Sequence, residues 1–168
     1  MLPSEVWTNA VDYIRQTLPQ CEVRRQYTPT DEYEALVDHD RPTLWVALDA
    51  IDSETVTSNA AVIGDSYTLS ITILWRVRSG NDPIELDGKL NNLQDLLTPL
   101  RHCIAETPAG CLFFGVPTIT TAYDMDLLTT KSIFAAEASV SVASYRDRYA
   151  QMTVEADNAD VTSQNTES

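Results

Sequence analysis

The chain has 168 residues, of which 43% are hydrophobic and 21% are charged, and its 25 acidic and 11 basic side chains give a formal net charge of −14. This length is sufficient for one domain with a hydrophobic core and is short for two. So negative a chain is repelled by nucleic-acid phosphates and by anionic membranes, and no apolar run approaches the length of a membrane helix. Three cysteines at irregular spacings favour a reducing cytoplasm over a disulfide framework.

The first predicted element is a helix that begins with Ser4 as its N-cap and ends at Pro19, because apolar residues recur at helical spacing between them. A strand over 22–27 follows. The next stretch, 31–54, is rich in carboxylates and contains a second predicted strand at 44–48. We expect these residues to form the first side of a sheet.

The clearest strand covers 66–78, where apolar and polar residues alternate and only Leu74 breaks the pattern. Alternation with a period of two is typical of an antiparallel strand that has one buried face. The side chains on its apolar face are Tyr67, Leu69, Ile71, Ile73, Trp75 and Val77.

The clearest helix follows, with Asp82 as N-cap and Pro83 at the first helical position. At Thr98 and Pro99 we expect a break or kink and the start of a second short helix. The predicted apolar stripe consists of Leu86, Leu90, Leu93, Leu97, Leu100 and Ile104.

One or two strands are predicted across 110–123, and a last strand across 131–145 has small alternating apolar side chains. From residue 150 onward the sequence is acidic, contains no lysine or arginine and has no apolar pattern. These patterns predict a single α+β domain over 1–149 and an acidic flexible tail over 150–168. The domain should be a mostly antiparallel sheet packed by two helices, in the order α-β-β-β-α-β-β.

No motif indicates covalent catalysis. The segment around Ser66 lacks the strained elbow of a serine nucleophile and reads as a turn that opens a strand. His102 and Cys103 are adjacent, so on a helix their side chains point about 100° apart, and Cys103 is expected near the core.

The sequence gives equally little support for a metal site or for a catalytic pair of carboxylates. Consecutive residues of an extended segment such as 38–40 (Asp-His-Asp) point to opposite sides, which favours a solvated acidic loop over a metal site. Sequence alone cannot place a catalytic carboxylate pair among Glu34, Asp49, Asp52 and Glu54. We therefore predict a protein that is not an enzyme, with no catalytic residue, no cofactor and no metal ligand.

The order of the predicted elements resembles that of a known protein family. The predicted elements follow one another in this order: a capped first helix, an acidic two-strand region, the long strand 66–78, a leucine-rich helix over 86–97 and a last strand that ends Ser144-Tyr145-Arg146. This arrangement, over about residues 3 to 148, resembles the tail terminator proteins of long-tailed bacteriophages and the wider group of small neck and tail-completion proteins. The resemblance rests on architecture and length and includes no catalytic residues.

The resemblance implies a structural subunit of a virion that is assembled in the host cytoplasm. Such a protein forms a ring, commonly of six copies, that caps the tail tube and joins it to the head. Its implied partners are copies of itself, the tail tube protein and the head–tail connector protein. DNA would pass through the lumen without specific binding, since a negatively charged wall offers phosphates no counterion-release gain.

Strand edges such as 131–145 are expected to pair between subunits, in a contact that closes into a ring. The candidate contacts to subunits or partners are Arg76, Arg78, Phe134, Glu137, Ser139, Tyr145, Arg146 and Arg148. The alternatives are another head–tail connector or minor tail protein, a cytoplasmic adaptor that binds one partner through an exposed sheet face, and, third, a small hydrolase with an acidic site.

Overall fold

The computed structural model describes residues 1–26, 41–55, 62–78, 82–122 and 124–147. This part of the chain is an α+β fold with three helices and a curled mixed sheet. A single 3₁₀ turn, Thr98–Leu100, follows the second helix. In chain order the elements are α1 Pro3–Thr17, β1 Glu22–Arg25, β2 Thr43–Thr55, β3 Val62–Arg76, α2 Pro83–Leu97, β4 Ile104–Thr107, β5 Gly110–Phe114, β6 Thr118–Thr121, α3 Met125–Lys131 and β7 Ile133–Asp147.

The seven strands form one sheet in the order β1-β2-β3-β7-β5-β4, and β6 also pairs with β7. Only β1 and β2 run parallel, so the predicted mostly antiparallel sheet is confirmed. The last strand lies between β3 on one side and β5 and β6 on the other. β7 is thus an interior strand, and the expectation that its edge is free to pair with another subunit is wrong.

The hydrophobic core lies between one face of the sheet and helices α1 and α2. In the paired strands β3 and β7, Tyr67 lies opposite Val142 and Leu69 opposite Val140, and all four side chains are buried. This confirms the face predicted from the alternation in 66–78. From α1 the core receives Val6, Ala10, Val11 and Ile14.

The first helix begins two residues earlier than predicted. Pro3 is its first residue, a position where the missing proline N–H is not needed, and Leu2 is the N-cap. The carboxylate of Glu5 accepts a hydrogen bond of 2.7 Å from the backbone N–H of Leu2. Ser4 therefore lies inside the helix and does not cap it.

The second helix begins as predicted, because the Asp82 carboxylate accepts a 3.0 Å hydrogen bond from the backbone N–H of Ile84. The predicted stripe is correct only in part. Leu90 is 40% exposed and Ile104 lies outside the helix in β4, since the helix ends at Leu97 and no second α-helix follows. The residues of α2 and the 3₁₀ turn that reach the core are Leu93, Leu96, Leu97 and Leu100.

A third helix, α3, was not predicted. The Asp124 carboxylate accepts hydrogen bonds from the N–H groups of Asp126 and Leu127, and Ser132 ends the helix in the left-handed region at φ 53°. Lys131 consequently belongs to α3, and the last strand begins at Ile133. The helix lies beside β7, with Leu128 buried in the main core and Leu127 packed against a smaller cluster on the opposite face of the sheet.

The exceptional Leu74 lies on that opposite face of the sheet. Its side chain points away from the main core and is buried in a second, smaller cluster with Trp45, Ile133 and Ala135. Leu127 of α3 packs against this cluster. The break in the alternation therefore marks a place where the other face of the sheet is buried as well.

Candidate functional site

The sheet face opposite the main core, which we call the outer sheet face, has a buried cluster at one end, where Leu127 of α3 packs against Trp45, Leu74, Ile133 and Ala135. The registers of β2, β3, β5 and β7 place alternate residues of these strands on it. Beyond that end, and with β4 included, this face carries Ala47, Ala50, Asp52, Ser66, Thr68, Ser70, Thr72, Ile104, Glu106, Cys111, Phe113, Glu137, Ser139, Ser141, Ala143 and Tyr145.

Most of these side chains are small and half-buried or exposed, and Asp52, Glu106 and Glu137 are the charged ones. A partner that covers long charged side chains must immobilise and desolvate them, at roughly 0.5–1.5 kcal/mol for each rotamer-rich side chain. Serine, threonine and alanine lose much less rotamer freedom. The outer sheet face is therefore suited to close contact with another protein surface.

Three large side chains stand together at the end of this face far from α3. Ile104 lies directly opposite Phe113 in the β4–β5 pair, and the rings of Phe113 and Tyr145 meet edge to face with centroids 5.4 Å apart. Their exposed fractions are 55%, 37% and 51% in chain order. We call these residues the Ile104–Phe113–Tyr145 patch. Exposed aromatic side chains held in fixed positions are frequent anchors of protein interfaces.

The structure brings some of the sequence-predicted contact residues together on the outer sheet face. Glu137, Ser139 and Tyr145 lie along it on β7. Arg76 lies at the end nearer to α3, opposite Ile133, and is half-buried. These four residues thus share one surface.

The other predicted contacts lie elsewhere. Phe134 is 1% exposed, points into the main core opposite Trp75 and forms the floor of a cleft of about 140 Å³ under α2. Arg78 follows the end of β3, is exposed, and donates its backbone N–H to the carboxylate of Glu85. Arg146 belongs to β7, whereas Arg148 lies outside the described residues.

Sequence reasoning missed Ile104 and Phe113. Ile104 continued the leucine spacing of α2, and Phe113 was part of an apolar run without a clear period. The turn at Pro108 and Ala109, with Gly110 at φ 130°, was the available signal, because a reversal there pairs β4 with β5 and alternates their side chains.

The β1 edge of the sheet is lined by guanidinium groups. Arg15 donates to the carbonyl oxygen of Val23 at 3.0 Å, and the Glu22 carboxylate pairs with both Arg24 and Arg41, at 3.1 and 2.9 Å. Charged groups at a sheet edge oppose the addition of another strand. The broad outer face is therefore a better candidate interface than this edge.

The residues considered for catalysis are scattered. Ser66 lies half-buried on the outer sheet face, His102 is exposed in a turn, and the Cys103 thiol donates to the Pro99 carbonyl oxygen at 2.8 Å. Asp49 and Asp52 are exposed on β2. Within the described ranges, no three His, Cys, Asp or Glu side chains are grouped so that they could hold a metal ion. The candidate metal segment 38–40 and Glu34 lie outside those ranges.

Cys21 and Lys89 are among the described groups whose pKa values are shifted. Burial raises the pKa of the Cys21 thiol to about 11, against a weaker opposing effect of Arg41. Burial lowers the pKa of Lys89, whose ammonium lies 3.7 Å from the centre of the Trp75 ring, and Glu85 opposes that shift. Both groups belong to the packing under the helices and not to the outer sheet face.

No described helix is long and apolar enough to span a membrane.

Comparison with protein-family models gives no match, and comparison with curated proteins gives no relative. The geometry of the outer sheet face and the order of the elements are therefore the grounds on which a function is proposed.

Proposed function

We propose that this chain is a structural subunit of a bacteriophage virion, a tail terminator or neck protein. In this role it forms a ring that caps the tail tube and joins it to the head connector. The observation that carries the proposal is the outer sheet face, a broad surface of mostly small side chains beyond the cluster against which Leu127 packs. The order of the elements, which resembles that of tail terminator proteins, supports the same role.

The distribution of charge is compatible with this role. The exposed side of α2 carries Asp82, Asp87 and Asp95, and no basic residue lies in its last turn. Such a surface repels phosphates, and it gains nothing from counterion release. A ring with α2 near its lumen would let DNA slide through without being held.

The experiment is electron microscopy of the purified full-length chain, together with its native mass. We expect rings with a central opening and a discrete mass, about 112 kDa for six copies of an 18.7 kDa chain. Added to purified tail tubes of the same phage, the rings should be found at one end of each tube. Heat-denatured protein serves as the control for nonspecific adsorption.

A chain that stays monomeric at high concentration, and that binds no tube, would contradict the proposal. That result would favour the cytoplasmic adaptor, which uses the same face to bind one different protein.

A further inference from the structure

We propose that the groove between the end of α2 and the free edge of β6 binds the C-terminal end of a partner protein. The partner's end adds to β6 as an antiparallel strand, and its terminal carboxylate pairs with Arg101. The inference goes beyond the proposed function, since it requires neither a ring nor a particular number of copies.

Strand β6 has one unpaired edge among the described elements. Thr118–Thr121 pairs with β7 on one side, and no backbone hydrogen bond from another described segment reaches its other side. Such an edge presents backbone N–H and C=O groups to which an extended peptide can add as a further strand. The four residues of β6 are β-branched and uncharged, so β6 itself carries none of the charges that usually protect an edge.

The unpaired edge borders a groove of about 360 Å³. One wall is the end of α2 and the turn after it, with Asp95, Leu97 and Arg101, and the other wall is formed by residues 117–119. Sites that bind small ligands have volumes of about 300–1,000 Å³, so the groove has room for a short segment of peptide.

The groove is closed at the end where Arg101 lies. The backbone N–H of His102 donates to the carbonyl oxygen of Gly115 at 3.2 Å, and that of Phe114 donates to the carbonyl oxygen of Cys103 at 2.8 Å. The segment that leads into β4 therefore occupies the edge as far as Gly115, and the free edge begins after it. An internal segment of a partner would have to turn sharply outward at this point, whereas a chain end can stop there.

The charge at the closed end favours a C-terminus over an N-terminus. Arg101 is exposed and belongs to none of the ion pairs between described residues. Its guanidinium group offers a fork of N–H donors that matches the two oxygens of a carboxylate. Since β6 leads away from Gly115, a peptide whose C-terminus lies beside Arg101 runs antiparallel to β6.

The other lining residues restrict the side chains of the peptide. Asp95 is the acidic residue among the described lining residues, and Glu137 lies opposite Thr121 at the far end of β6. Both disfavour acidic side chains in the peptide, because like charges repel across an interface. Leu97 and Ile119 contribute apolar surface to the groove. The occupant that fits is an extended chain end with uncharged side chains and a free carboxylate.

The test uses the full-length chain and the synthetic peptide acetyl-Thr-Val-Thr-Val, which has a free C-terminal carboxylate. Nuclear magnetic resonance spectra recorded during a titration give both the affinity and the residues affected. We expect chemical-shift changes at Thr118–Thr121 and at Arg101. The same peptide with a C-terminal amide should bind about 10-fold more weakly, because it lacks the hydrogen bonds between charged groups.

Hydrogen exchange distinguishes strand addition from contact of side chains alone. A peptide that adds to β6 accepts hydrogen bonds from the amides on the free edge, so their exchange should slow when the peptide is present. A peptide held only by its carboxylate would leave the exchange of 116–121 unchanged, and that result would overturn the proposed mode of binding.

The variant Arg101→Gln should weaken binding of the carboxylate peptide about 10-fold and leave binding of the amidated peptide unchanged. The matched control is Arg78→Gln, because Arg78 is also exposed but lies near the other end of α2 and borders a different cleft. Circular dichroism must show that both variants are folded.

Binding that protects β6, and that depends on both the free carboxylate and Arg101, supports the inference. Equal affinity for the two forms of the peptide, an unchanged affinity in Arg101→Gln, or no binding at millimolar peptide overturns it. The native mass of the same samples reports on the ring separately. The inference can therefore fail while the proposed function stands, and the reverse also holds.

Discussion

The packing of α2 on the sheet can be tested with two leucines of the same helix. Leu93 is 2% exposed in the main core, and Leu90, three residues earlier, is 40% exposed. Truncation of a buried leucine to alanine costs about 2–5 kcal/mol, because transfer free energy is lost and a cavity remains. We expect about 3 kcal/mol for Leu93→Ala. For Leu90→Ala we expect about 1 kcal/mol, since water can fill the space that the shorter side chain leaves.

The assay is urea unfolding followed by circular dichroism, with all proteins at the same concentration, because self-association would also stabilise the folded state. With a dependence on urea of about 2 kcal/mol per molar, Leu93→Ala should lower the unfolding midpoint by about 1.5 M and Leu90→Ala by about 0.5 M. The expected difference in free energy, about 2 kcal/mol, is roughly a 30-fold difference in the unfolding equilibrium constant.

Equal shifts for the two variants, or a larger shift for Leu90→Ala, would refute the reasoning. Either result would mean that α2 presents a different side to the sheet from the one described. An unchanged slope with urea is required for the comparison, since a changed slope indicates altered compactness of one of the states.

Two further predictions concern helix ends and pH. Asp82→Ala and Asp124→Ala each remove a side chain that caps a helix, so each should lower the free energy of unfolding by about 1 kcal/mol; Asp87→Ala, in the middle of α2, should change it little, and equal effects would argue against the caps. Because burial raises the pKa of Cys21 from 9.0 to about 11, the unfolded chain loses this proton first, and stability should fall as the pH rises between these values. Cys21→Ala should reduce that slope in urea titrations, and an identical slope would show that another group is responsible.

The sequence was most informative where one face of an element is buried and the other is not. The alternation in 66–78 located β3 and its core face, and Asp82 with Pro83 located the start of α2. These patterns are local, because side-chain direction follows directly from the period of the backbone. The α+β class could be predicted for the same reason.

What the sequence did not reveal depends on contacts between distant segments. Leu74 is buried in a cluster against which Leu127 of α3 packs, and α3 lies about fifty residues further along the chain and is too short for a clear period. Phe134 fits an alternating strand whichever face is covered, so its place under α2 follows from the register with β3. The interior position of β7 likewise depends on pairing with both β3 and β5.

That interior position has a consequence for how the protein is made. β7 is the last strand of the described chain, yet it joins β3 on one side to β5 and β6 on the other, and its register with β3 pairs residues about 60–85 positions apart. Contacts between such distant segments slow folding, because the entropic cost of closing a long loop is incurred before the contacts form and stabilise the chain. On a ribosome, the two halves of the sheet remain separate until β7 emerges. Until that point β3 and β5 have unpaired edges, to which strands of other chains can add.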